Sequence, residues 1–269
     1  MYTDKQFMKN PEKREKLKAF CLKYHFNFFI LVLALFILNG LVYEITAIVP
    51  FIENHHLYMA VDDAIPLIPE FCFFYTTFYA TPFVFLYALS FYDKKKFDAI
   101  FLDGCVTVII CLAVYLVWNV QMIRPEHEVE AYWFFDGSIH NVHEFFLALV
   151  HFQYVVDPMA RNGIPSLHAL FACLVFLTGC PLSRKEKHVP IALRITAMVF
   201  GLGIACSTFF VKQHYFIDAV IGFGLAFVAY FPCRPLVRHI INQNPESETI
   251  KLLTLDKDDY EGKQTQQNN

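Results

Sequence analysis

The sequence predicts an all-α membrane protein, a bundle of six transmembrane helices with both termini on the cytoplasmic side. Three observations carry this reading. The chain is 56% hydrophobic and 17% charged, with 30 Phe among 269 residues. That is too little charge to cover a soluble domain of this length. Six apolar runs approach the ~20 residues a helix needs to cross a ~30 Å hydrocarbon core. Basic and acidic connections alternate between those runs, as they do when Lys and Arg mark the cytoplasmic loops.

In chain order, residues 1–25 form a basic cytoplasmic segment with Lys5, Lys9, Lys13, Arg14, Lys16, Lys18 and Lys23. The first run, roughly Phe26 to Pro50, is too long for a cleavable signal peptide and has no small-residue cleavage site after it. The second runs from Phe71 to Tyr92 and the third from Ala99 to Met122. The fourth, Pro165 to Pro181, is short. The fifth is Pro190 to Val211 and the sixth Tyr215 to Cys233. Lys94, Lys95 and Lys96 follow the second run, Arg184, Lys185 and Lys187 the fourth, and Arg234 and Arg238 the sixth. The other connections are acidic. Residues 51–70 hold Glu53, Asp62, Asp63 and Glu70 without Lys or Arg, and residues 123–164 set Arg124 and Arg161 against six acids. The membrane domain spans residues 26–238. Residues 239–269 read as a polar cytoplasmic tail without stable structure. The eight cysteines sit in or beside apolar runs with no C-x-x-C pair, so they read as small hydrophobes.

Within the acidic loop, Val142 to Val155 alternates Phe145, Phe146, Leu149, Val150 and Phe152 with His143, Glu144, His151 and Gln153. This pattern predicts an amphipathic helix at the membrane interface, or a seventh, partly inserted segment.

Three polar segments stand at the outer ends of the spans: Ile123-Arg124-Pro125, the stretch from Asn162 to His168, and the stretch from Lys212 to Asp218. Loop charge puts all three on one membrane face. His214 and Asp218, four residues apart, share a helix face, so the carboxylate can take one imidazole proton and leave the other nitrogen as a nucleophile. Ser166 follows Pro165 in a first helical turn, where free N–H groups favour an anion, and Gly163 permits close backbone approach. Arg124 and Lys212 supply cations for phosphate oxygens. Each feature alone also fits a plainer role, as a capping pair, a helix cap or a cation snorkelling to the headgroups. Together they are the parts of a phosphoryl-transfer site.

On these residues the chain resembles the type 2 phosphatidic acid phosphatase superfamily of membrane lipid phosphatases, over roughly residues 60–235. The family's motifs are K-x6-R-P, P-S-x-H and S-R-x5-H-x3-D. Here they read Arg124-Pro125 with Val117 in place of Lys, Pro165-Ser166-Leu167-His168 intact, and Ser207, His214 and Asp218 with Thr208 in place of Arg. The resemblance implies a six-helix core and a metal-independent lipid phosphatase without a cofactor, acting on a phosphatidic acid-like phosphomonoester or pyrophosphate lipid. It implies His214 as nucleophile, Asp218 orienting it and His168 as acid and base. Arg124, Lys212, Ser166 and the Gly163 amide would hold the phosphoryl oxygens. The site would face the periplasm or an organelle lumen, and no nucleic-acid partner is implied. Sphingolipid headgroup transferases resemble the same family, with H-Y-x-x-D in the last motif, and transfer to ceramide or diacylglycerol is the alternative. A catalytically silent member is a third reading. His55 with His56, and His140 with His143, raise a metal site without the usual carboxylate companions. Glu44, Asp103 and Arg194 fall near predicted span ends, which argues against a transporter.

Overall fold

The computed structural model of the chain describes residues 26–48, 54–135, 137–181 and 189–243. The basic amino-terminal segment, the loop with Arg184, Lys185 and Lys187, and most of the polar tail lie outside the described residues. The chain divides into two compact units, Asn39–Pro235 and the pair Met1–Leu38 with Leu236–Asn269. The described residues of the second unit are helical throughout, and belong to the helices that leave and enter the first.

The described residues are mostly helical, as composition predicts. Helices α1 (Phe26–Ile48), α2 (Ala60–Ala64), α3 (Cys72–Thr77) and α4 (Thr81–Tyr92) lead into α5 (Lys94–Val117). Then come α6 (Val142–Val156), α7 (Leu167–Gly179), α8 (Ile191–Phe210) and α9 (Phe216–Gln243). The sole sheet among the described residues pairs β1 (Asn54–His55) in parallel with β2 (Asn119–Val120). Among the described residues, three helices are long and apolar enough to cross a membrane, within Lys96–Val117, Ile191–Phe210 and Phe216–Val237. A fourth is added if α3 and α4 with the turn before them, bent by 48°, form one broken span.

The break has a local cause. Pro82 has no N–H to donate to the Phe78 carbonyl, and its ring crowds that carbonyl. The Thr81 hydroxyl bonds the Thr77 carbonyl at 2.6 Å. The continuous second run of the sequence is therefore two helices. The third starts earlier than its apolar residues, because Asp93 caps α5 through the Lys96 N–H at 3.0 Å. It also stops at Val117, before β2, so the expected end at Met122 lies in extended chain. Asp103, expected near a span end, lies well inside α5 and is fully buried.

Helix α7, the short fourth run of the sequence, has 13 residues and is buried on nearly every side. Ala169, Leu170, Ala172, Cys173, Val175 and Leu177 are all at 0% exposure. A helix apolar all round belongs in the middle of its neighbours, and α5, α4 and α8 all pack against it. Helix α9 approaches its first turn so closely that a Cβ on Gly222 would lie 2.2 Å from the Ser166 carbonyl oxygen. Only glycine fits there. The predicted amphipathic helix is α6, capped by Asn141 through the Glu144 N–H at 3.0 Å.

Candidate active site

The three polar segments meet. Residues 119–124 run beside 160–163, joined by Gly163 N–H to the Val120 carbonyl (2.9 Å), Met122 N–H to the Ala160 carbonyl (2.9 Å) and Asn162 N–H to the Asn119 side-chain oxygen (2.9 Å). The Ser166 N–H donates to the Asp218 carbonyl at 3.1 Å, which ties the start of α7 to α9. Ile123 N–H donates to the Tyr215 hydroxyl at 3.2 Å. Lys212 has φ 54°, in the left-handed region that side chains with a Cβ seldom enter. That turn lets Gln213 N–H (2.9 Å) and His214 N–H (3.0 Å) share the Thr208 carbonyl. Backbone held off its preferred conformations is a frequent companion of functional sites.

His214 is buried, and its two nitrogens face different groups. Nδ1 lies 3.2 Å from the Gly163 carbonyl oxygen and 3.8 Å from Asp218 Oδ2. The nearest acceptor is thus a peptide carbonyl and not the carboxylate expected from the i,i+4 spacing. A carbonyl can only accept, so Nδ1 carries the proton and Nε2 keeps its lone pair. Nε2 points at His168 Nδ1, 3.3 Å away. Asp218 is fully buried; its Oδ2 accepts the Tyr215 N–H at 3.1 Å, while Oδ1 has no hydrogen-bond partner. This carboxylate is held ready beside an imidazole that can gain positive charge.

His168 is fixed by rings instead of hydrogen bonds to backbone. Tyr75 stacks on it with centroids 4.6 Å apart at 23°, and Phe78, in the break between α3 and α4, lies 4.3 Å away. No pattern in the sequence marked these two, because aromatic residues crowd the whole second run.

The expected phosphate-binding groups fare unequally. Ser166 caps α7, its hydroxyl accepting the Ala169 N–H at 3.3 Å, and it is fully buried. The Gly163 N–H is already given to Val120, so the amide expected to hold a phosphoryl oxygen is spent, and the residue's contribution is its carbonyl. A Cβ there would sit 3.0 Å from Asp218 Oδ2 and 3.1 Å from the Val120 carbonyl oxygen. Lys212 does not present a free ammonium. It donates to the Asp62 carbonyl at 2.8 Å and to the Ile65 carbonyl. Burial pushes its pKa below the ordinary lysine range, against the pull of Asp62, Glu128 and Asp63. Arg124 is engaged as well. It donates to the Asp157 carbonyl, to Asp157 Oδ2 at 2.7 Å and to the Gln213 side-chain oxygen, with its guanidinium 4.9 Å from the Tyr154 ring centre.

The two positions that depart from the family motifs are also explained. Val117 ends α5 at 82% exposure, on an outward face where a cation would point away from the bundle. Thr208 is fully buried and bonds the Ala205 carbonyl at 2.7 Å; its own carbonyl carries the His214 turn. Among the described residues no group of three or more His, Cys, Asp or Glu side chains is placed to hold a metal ion. His143 pairs with Glu70 at 2.6 Å, and His56 with the Gln121 carbonyl at 2.9 Å.

Helices long enough to cross a bilayer, with two facing histidines at one end, define an integral membrane protein with a buried polar site. A scan against protein-family models matches the PAP2 superfamily over residues 51–231, so the chain belongs to that superfamily, whose members are generally phosphatases. Comparisons with curated proteins and with solved structures find no match. Membership brings chemistry of the phosphatase or phosphotransferase type.

Proposed function

We infer that this chain is a lipid phosphatase that works through a phosphohistidine on His214. The observation that carries the reading is the placement of His214 between the Gly163 carbonyl and His168, which leaves Nε2 unprotonated and facing the second histidine. A phosphoryl group entering the site takes the place of the contact between the two rings. His214 Nε2 then bonds to phosphorus as the bond from phosphorus to the lipid oxygen breaks. A protonated His168 gives that oxygen its proton. Water next attacks the phosphohistidine, His168 takes the proton that water loses, and inorganic phosphate departs. As phosphorus bonds to Nε2, the imidazole becomes cationic, and Asp218 stabilises that charge from 3.8 Å. Arg124 holds phosphoryl oxygens, and Ser166 fixes the helix start beneath them. No cofactor enters this scheme.

A six-span topology, with Phe26–Ile48 as the first span and the short α7 as the fourth, would put this site on the extracytoplasmic face, a reading supported by the basic loops that mark the cytoplasmic side. The substrate is a phosphatidic acid-like lipid that enters between helices.

One observation favours a second reading. His214-Tyr215-x-x-Asp218 is the pattern of the headgroup transferases, and the cations lost at Val117 and Thr208 are ones a phosphatase of this family carries. In that case the phospho-headgroup passes to ceramide or diacylglycerol in place of water. Protein purified into lipid nanodiscs and offered a phospholipid panel separates the two. Free phosphate supports hydrolysis, labelled headgroup on the acceptor supports transfer, and activity in a His214→Ala protein equal to wild type would sink both.

A further inference from the structure

Arg124 is the cation that the phosphoryl-transfer reading needs, and an acid already occupies it. Its side chain is 2% exposed, while the side chain of its partner Asp157 is 35% exposed. The bonds on Arg124 divide into two kinds. One guanidinium nitrogen, Nη1, donates to the Asp157 backbone carbonyl at the end of α6, where a cation also meets the negative end of the helix dipole. Together with the Tyr154 ring and the Gln213 oxygen, that bond fixes the guanidinium whatever the Asp157 side chain does. The carboxylate is the one exchangeable ligand. It reaches Nη2 at 2.7 Å and comes from the solvent side.

Two donors around it have no partner. Arg124 Nε and Gln213 Nε2 are both buried and make no hydrogen bond. Gln213 immediately precedes His214, so these unused donors stand beside the nucleophile's turn. The carboxylate serves neither. A phosphoryl group has more acceptor oxygens and more charge than a carboxylate, so it can take Nη2 and an orphaned donor as well.

The carboxylate is itself held. Asp157 Oδ1 accepts the Tyr43 hydroxyl and, at 3.3 Å, the Ala160 N–H. Tyr43 stands near the end of α1, before the residues that match the family. The same stretch binds the loop twice more, through Arg161 Nη1 to the Thr46 carbonyl (2.7 Å) and Thr46 Oγ1 to the Asn162 side-chain oxygen (3.3 Å).

We propose that Asp157 is an anion gate, its carboxylate sitting on Arg124 where a substrate phosphoryl oxygen must bind, with Tyr43 as the catch that keeps it there. Asp157 is a positioning residue: it touches the phosphate-binding cation and not the reacting atoms. This rests on the phosphoryl-transfer reading of the site. The gate sets how tightly the protein holds phosphate, since an anion binds only the fraction of molecules in which Arg124 has been released.

The test uses the full chain in nanodiscs, with inorganic phosphate and orthovanadate as probes, read by anion-dependent thermal stabilisation and by the KM for a lipid phosphate. Asp157→Asn should tighten the Kd of both anions about tenfold and lower KM without raising kcat. Tyr43→Phe, which leaves the carboxylate in place but uncatches it, should tighten Kd about threefold. It serves as the sole variant if Asp157→Asn does not fold. Unchanged or weaker anion binding in the folded variants, while wild type binds phosphate and turns over lipid, overturns the gate and leaves the phosphatase reading standing. If wild type and variants neither bind these anions nor turn over any lipid phosphate or headgroup donor, the reading of the site falls, and the gate with it.

Discussion

The two histidines of the site are 3.3 Å apart and are held by opposite means. His214 is gripped by polar backbone: its own N–H on Thr208, Nδ1 on the Gly163 carbonyl, and a buried carboxylate at 3.8 Å. His168 is gripped by Tyr75 and Phe78. Directional bonds fix which nitrogen carries the proton, which is what a nucleophile requires. Ring stacking fixes the plane of the imidazole with Nδ1 turned toward His214, the orientation that the proposed acid and base role requires. Under the proposed mechanism, the same side chain takes two roles set by its surroundings.

Breaking either arm tests that contrast. His214→Ala should cost most, on the order of 10⁶-fold in kcat, the scale seen when the nucleophile of a cooperative group is removed. His168→Ala should cost about 10²–10⁴-fold in lipid phosphate release, the usual share of a general acid and base. Asp218→Asn should cost less than either, because the Gly163 carbonyl still sets the tautomer. A loss as large as that of His214→Ala would show that the carboxylate, and not the carbonyl, orients the ring. Tyr75→Leu should lower kcat by a factor of roughly 2–12, the equivalent of ~0.5–1.5 kcal/mol for one aromatic contact, and should leave KM unmoved. Lys212→Met is expected to lower the thermal midpoint while KM stays near wild type, since its ammonium spends its donors on the Asp62 and Ile65 carbonyls. A large rise in KM would restore it as a substrate cation.

The sequence singles out Arg124, Ser166, His168, His214 and Asp218 because polar residues at the ends of apolar runs are few and their spacings carry chemistry, and the fold brings the segments that hold them together. What stayed hidden depends on contacts across the chain. Asp157 is one of six acids in its loop and nothing local distinguishes it. Tyr43, 114 residues away, is an ordinary tyrosine in an apolar helix. Gly163 was read through its missing side chain, correctly as a close approach, but the sequence does not say which backbone atom faces inward. The engagement of Lys212 is hidden for a related reason, because its partners are backbone carbonyls, which composition never reveals. In the fold, helical character followed from apolar run length. The short fourth run was visible as well, but the break before Pro82 and the full enclosure of α7 were not, since a run of apolar letters looks alike whether the helix is straight, bent or wholly enclosed.

The contact between Gly222 and the Ser166 carbonyl has a mechanical consequence. With no room for even one methyl group between α9 and the first turn of α7, and with Ser166 N–H pinned to the Asp218 carbonyl, the two helix starts move as one piece. His168 rides on one and Asp218 on the other, with His214 in the turn just before. The spacing of the two rings is thereby set by this one helix contact and its backbone bond.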